Sequence, residues 1–113
     1  LPESIETIEA SAFQDCKGLK EVHFSKNLKK ISDMAFANAG TESFYFPKEI
    51  KDLKISSDSF SSVQDAKCYV VKGSWLDKNY EKVFGSLVKD SWLVKNFTEV
   101  FGILGEKQYY DRE

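Results

Sequence analysis

The sequence predicts a solenoid in which short parallel strands stack in about three coils, with helices closing the C-terminal end, α+β overall. Three observations carry this. The triplets Val22-His23-Phe24, Phe44-Tyr45-Phe46 and Cys68-Tyr69-Val70 each read apolar, outward, apolar, the pattern of a short strand with one face buried. They recur after 22 residues (Phe24 to Phe46) and then 24 (Phe46 to Val70), a period at which coils stack and none is stable alone. Beyond Val71 the pattern changes to an amphipathic segment that itself repeats after 17 residues (Trp75 to Trp92).

Each coil is justified in turn. Ile5, Leu28 and Ile50 occupy one slot, and three residues later stand Ile8, Ile31 and Leu53. A small residue and a Phe follow, as Ala12-Phe13, Ala35-Phe36 and Ser59-Phe60, before the bend into the strand. The second coil is short around Ala39-Gly40. The third holds about two extra residues, which this alignment places in Lys54-Ile55-Ser56-Ser57, at a corner where added length bulges outward. In the tail, Leu76, Tyr80, Val83, Phe84 and Leu87 share one helical face, and Leu93, Phe97, Val100, Phe101 and Leu104 share another. Ser74 and Ser91 suit N-caps, with Asp90 an alternative for the second; Gly85 and Gly102 suit chain reversal. One continuous helix would leave the two faces about 100° apart, so two short helices joined near residues 85–90 are expected. Their aromatic residues, Trp75 and Trp92 among them, would cover the open end of the last coil. Glu106 to Glu113 is polar and reads as a fraying end.

The spacing Leu1-Pro2-x-x-Ile5-x-x-Ile8-x-x-x-Ala12-Phe13-x-x-Cys16-x-x-Leu19-x-x-Val22-x-Phe24 resembles the BspA-like, or treponemal-type, leucine-rich repeat. The second coil keeps Leu28, Ile31, Ala35, Phe36, Phe44 and Phe46, but has Asn38-Ala39 at the Cys position and Thr41 at the Leu position. The third has Ser59 for Ala and no Cys after Phe60. Val70-Val71-Lys72-Gly73-Ser74 resembles the ending of such arrays, where a short helix follows. The expected division is therefore a leucine-rich-repeat solenoid over 1–72 and a helical cap of two short helices over 73–113. The resemblance implies a surface or extracellular protein whose repeats mediate adhesion or other protein contacts, with no catalytic residues and no cofactor.

Composition bounds the rest. The chain has 113 residues, a net charge of −2 and a heavy aromatic content of nine Phe, five Tyr and two Trp. Acidic and basic residues are interspersed, so no basic patch and no nucleic-acid partner are expected. No apolar run approaches membrane-spanning length, so membrane insertion is not expected, and no signal-peptide pattern is present. The opening at Leu1-Pro2, inside a repeat, reads as a fragment of something longer. Cys16 and Cys68 fall two coils apart, beyond disulfide reach, and read as reduced, buried, small hydrophobes. No Cys or His stands at metal-ligand spacing.

The outward strand positions form two columns, Glu21-Ser43-Lys67 and His23-Tyr45-Tyr69. Tyr and His are rigid and amphipathic, suited to a binding face, and the same rings could simply stabilise the sheet. His23 lacks a nucleophile at a workable position, since Cys16 precedes the bend and faces the core. A non-enzymatic interaction module contacting a protein or other surface macromolecule is the leading reading. The alternatives are a structural spacer, or repeats attached to a catalytic domain elsewhere. Leu1, Ile5 and Ile8 are expected to leave an apolar edge at the N-terminal end through which copies self-associate.

Overall fold

A computed structural model describes residues 2–85 and 103–110. In chain order the elements are β1 (Thr7–Ile8), β2 (Glu21–His23), β3 (Lys30–Ile31), β4 (Ser43–Tyr45), β5 (Lys54–Ile55), β6 (Gln64–Val70), α1 (Trp75–Phe84) and β7 (Ile103–Tyr109). The strands form two parallel sheets, β1-β3-β5 and β2-β4-β6-β7. Every repeat thus contributes one strand to each sheet, and successive repeats pair in register: Val22 with Phe44 and Phe44 with Cys68, Ile8 with Ile31 and Ile31 with Ile55.

The segments between strands repeat as faithfully as the strands. One turn recurs beyond β2, β4 and β6, and once ahead of β1, with an N–H bonded to the carbonyl three residues back: Ile5 to Pro2 at 3.3 Å, Leu28 to Ser25 at 3.2 Å, Ile50 to Pro47 at 3.3 Å and Ser74 to Val71 at 3.0 Å. The opposite corner stacks through backbone bonds between repeats, Phe13 N–H to Ala35 O at 2.7 Å and Phe36 N–H to Ser59 O at 2.8 Å. Such ladders satisfy polar groups that burial would otherwise leave unpaired. Asp15, Asn38 and Ser62 all hold positive φ at the same point of the bend, where a short polar side chain tolerates the left-handed conformation.

Aromatic stacking fills the space between the sheets. Phe36 is fully buried between Phe13 (centroids 5.2 Å) and Phe60 (5.6 Å), the ladder expected from the sequence. Phe24 and Phe44 meet Phe36 edge-on at 5.7 and 5.3 Å. The departures from the repeat pattern are each accommodated. Thr41 is buried and donates to the Leu19 carbonyl at 2.6 Å. Ser59 is fully buried; its hydroxyl lies 2.9 Å from Ser32 O and 3.1 Å from Ile31 O, and it accepts from Ser56 N–H. Val63 closes the third corner by bonding back to Phe60, as Cys16 does to Phe13. At Gly40 any Cβ would run into the backbone carbonyl of Lys17, which explains a glycine at the tight second corner.

Several expectations are corrected. The partner of Ile31 is Ile55, not Leu53, so the added residues of the third repeat lie before β5, with Asp52 in the left-handed region at φ 56°. Ile55 sits on the strand and is not part of a bulge. Cys16 is only half-buried, while Cys68 is fully buried; both are free thiols. Of the expected N-terminal apolar edge of Leu1, Ile5 and Ile8, Ile8 is buried (3% exposed) and Ile5 is partly buried against the core, as are Phe13 and Leu19 of the same repeat.

The tail differs most. Helix α1 forms as predicted from Ser74, whose side chain accepts from Asp77 N–H, and buries Leu76, Tyr80 and Phe84. Gly73 ahead of it takes φ +82°. Phe84 packs on Phe46 (5.7 Å) and Phe60 (6.4 Å). Gly85 keeps a right-handed helical backbone and does not itself reverse the chain through the left-handed region. Leu104 is buried in strand β7, not on a helix, and the segment from Glu106 to Tyr110 does not fray: β7 pairs in parallel with β6, and Tyr110 N–H continues the ladder to Val70 O at 3.1 Å, while residues 111–113 lie outside the described residues. The second expected helix, with Ser91, Trp92, Phe97 and Phe101, lies outside the described residues, as do Leu1 and Leu87.

Candidate functional site

The alternation along β2 and β4 turns Val22 and Phe44 into the core and sends their neighbours to the outer face of the sheet. Parallel register then lines those neighbours up. Glu21, Ser43 and Lys67 are partners across three strands, and so are His23, Tyr45 and Tyr69. The six residues singled out from the sequence are therefore brought onto one face. The three rings stack: His23 on Tyr45 at 4.3 Å and 6°, Tyr45 on Tyr69 at 4.6 Å and 9°. Glu21 contacts His23 Nε2 along the same strand.

A seventh residue joins them. Tyr110 meets Tyr45 edge-on at 5.3 Å and Tyr69 at 6.4 Å. The sequence carried only a weak signal for it, an aromatic pair in a polar tail. Its position follows from β7 pairing with β6. Because the rings lie face to face, each covers the flat side of the next, and the stripe offers ring edges to its surroundings. That geometry suits contacts with polar and carbonyl groups better than the stacking of a planar ligand.

The remaining chemistry-bearing groups lie elsewhere. Cys68, on the inner side of β6, hydrogen-bonds Tyr80 of α1, and burial pushes its thiol up to about 12, beyond the range in which it would be a thiolate. Burial also drives the Tyr80 hydroxyl upward. Asp77 in the first turn of α1 accepts from Gly73 N–H at 2.9 Å and pairs with Lys107 of β7 at 2.7 Å. Lys107, then the Gly73 amide, hold the Asp77 carboxyl below its usual range, and Asp77 raises Lys107 in turn. A groove of about 400 Å³ between β5 and α1 is lined by Leu53, Ile55, Trp75 and Val83, with Asp52, Lys54 and Lys82 beside them. Trp75 packs partly buried against the core. Among the described residues no group of three or more His, Cys, Asp or Glu is placed to hold a metal ion, and no helix is long and apolar enough to cross a membrane.

The two-sheet repeat, the corner Phe ladder and the in-register strand face agree with comparison to known families. A family model described as the BspA type leucine rich repeat region (6 copies) matches residues 1–88. The chain belongs to this family. The match runs past the last repeat strand through α1, so the BspA-type region includes the helix that begins at Ser74. No curated protein and no solved structure matches the chain.

Proposed function

We propose that this chain is a non-enzymatic protein-interaction module of a surface or extracellular BspA-type protein, and that it contacts its partner through the outer strand face. In this reading the repeats wind as a short solenoid over 1–72, and the segment from 73 onward, α1 included, caps its C-terminal end. The contact residues are Glu21, His23, Ser43, Tyr45, Lys67 and Tyr69. The register that lines up His23, Tyr45 and Tyr69 carries the reading, because it turns three separate side chains into one continuous stripe. Tyr45 is the central hot spot, with a ring on each side to exclude water.

Three strands span only about 10 Å, well short of an interface of about 800 Å² per partner. Binding by this piece alone is therefore weak, and a longer array supplies the strength. The test is surface plasmon resonance of the parent protein against a panel of purified extracellular proteins, followed by Tyr45→Ala/Tyr69→Ala in the same context. Loss of binding without loss of folding supports the face. Unchanged binding moves the site to the corners or the tail and leaves the stripe as a sheet-stabilising ladder, the spacer reading. Ile5, Phe13 and Leu19, partly buried at the N-terminal end, form the surface through which copies would associate. Sedimentation that stays monomeric at high concentration would remove that part.

A further inference from the structure

The turn that leaves the strand face repeats four times, and its second position is occupied in order by Glu3, Lys26, Lys48 and Lys72. The three lysines stand at one offset, three residues beyond His23, Tyr45 and Tyr69, which are themselves partners across the sheet. They therefore form a column, rising about 4.8 Å per repeat, along the edge of the aromatic stripe. All three are exposed. Among the described residues the ion pairs are His23 with Glu21, Lys29 with Glu6 and Lys107 with Asp77, and none involves this column. The acidic groups near it include Glu3, whose carboxylate accepts from the Lys26 backbone N–H at 3.4 Å, the exposed Glu49 beside Lys48, and Asp77, whose carboxylate accepts from the Gly73 N–H next to Lys72 at 2.9 Å and is paired with Lys107. The fold thus sorts charges that alternate in the sequence into a local basic column.

We propose that Lys26, Lys48 and Lys72 dock an acidic segment of a partner protein, running across the repeats beside Tyr45 and Tyr69. Three like charges held at neighbouring positions repel one another, and an anionic chain laid along them removes that repulsion. The stripe beside the column decides between anionic polymers. Both faces of Tyr45 and the inner faces of His23 and Tyr69 are covered by the stack, which leaves little room for a base or a sugar ring to stack along it, whereas ring edges and Ser43 complement peptide carbonyls and carboxylates. The net charge of −2 disfavours a long polyanion such as nucleic acid, and a short acidic segment meets only the local column. The inference rests on the strand face being the contact surface, and it names the partner's chemistry.

The test uses the full chain and a fluorescent peptide of about ten alternating Glu and Ser residues, long enough extended to cross the three repeats. Anisotropy is followed from about 0.05 to about 0.5 M salt, where screening shortens the reach of surface charges. The expected result is weak binding that fades with salt. The Lys26→Gln/Lys48→Gln/Lys72→Gln variant should lose about tenfold in affinity, three rim contacts of modest strength each. Lys30→Gln/Lys54→Gln/Lys78→Gln, with the same change in net charge, should bind like the parent; equal loss in both variants overturns the column. All variants are checked for unchanged melting. No binding at low salt, or full binding by the column variant, overturns the proposal. Tighter binding of a heparin oligosaccharide or single-stranded DNA than of the peptide overturns it in favour of those polymers. Tyr45→Ala/Tyr69→Ala separates the two readings. If the peptide still binds that variant and fails only on the column variant, the lysines stand as the site and the aromatic stripe does not. If it fails only on the tyrosine variant, the stripe stands and the column falls.

Discussion

Lys107 Nζ on the last strand lies 2.7 Å from Asp77 Oδ1 in the first turn of α1 and also donates to the Asp77 backbone carbonyl at 3.0 Å. Asp77 is at the same time the acidic residue of the helix start, accepting from Gly73 while its own N–H bonds Ser74 Oγ at 3.2 Å. One carboxylate therefore couples the start of the helix to a strand 30 residues away. Asp77→Asn keeps the size of the side chain and removes the charge. It should cost about 1 kcal/mol, the sum of a weakened helix start and a partly exposed ion pair, measured by urea melts. The pH dependence has a definite sign. Because Asp77 is held below its ordinary value, its contribution is present above about pH 4 and is lost as pH falls through the lower folded value. The Lys107 contribution is present below about pH 10.4 and is lost only above it, at the raised folded value. Acid melts of Asp77→Asn should therefore fall less steeply below pH 4 than those of the parent; parallel curves would show that the pair does not form.

Phe36 stands at the centre of the ring ladder. Phe36→Ala removes its stacking on Phe13 and Phe60 and its edge contacts with Phe24 and Phe44. The expected loss is about 3–5 kcal/mol, larger than for any exposed substitution. A loss under about 1 kcal/mol in denaturant melts would place Phe36 outside the stack.

Ser59 reverses the usual expectation for a repeat. Its slot holds Ala12 and Ala35 in the other repeats, so Ser59→Ala restores the pattern. Yet the hydroxyl serves Ile31 O, Ser32 O and Ser56 N–H at a fully buried site. Removing it leaves those groups short of a partner, and the cost should be about 1–3 kcal/mol. A thermal melt in which Ser59→Ala is as stable as the parent would mean that the backbone relaxes to pair them.

The two thiols should separate cleanly in labelling. Cys16 is half-buried, whereas Cys68 is fully buried and hydrogen-bonded to Tyr80 of α1, with its thiol pushed up to about 12. A thiol reagent at neutral pH should modify Cys16 in the native protein and Cys68 only on unfolding, read by mass spectrometry of the two peptides. Stability should fall as pH rises from about 8.5, where the unfolded thiol ionises, toward the folded value of about 12. Equal labelling rates for both cysteines would show that α1 does not cover β6.

The sequence by itself determined the repeat, the strand triplets, the corner Phe ladder, the start of α1 at Ser74 and the six residues of the strand face. These are legible because they rest on short-range periodicity: alternation sets which side of a strand is buried, and a fixed period sets which residues stack. Tertiary structure alone decided three things. It placed the added residues of the third repeat before Ile55, because the pairing of Ile55 with Ile31 is a contact between repeats and both Leu53 and Ile55 satisfy the local pattern. It made Ile103–Tyr109 a strand, although Gly105, Glu106 and Lys107 break any apolar alternation, because the open edge of β6 supplies backbone partners that no local segment can. And it brought Tyr110 against Tyr45 and Tyr69, because only the pairing of β7 with β6 carries a residue from outside the repeat period to the strand face.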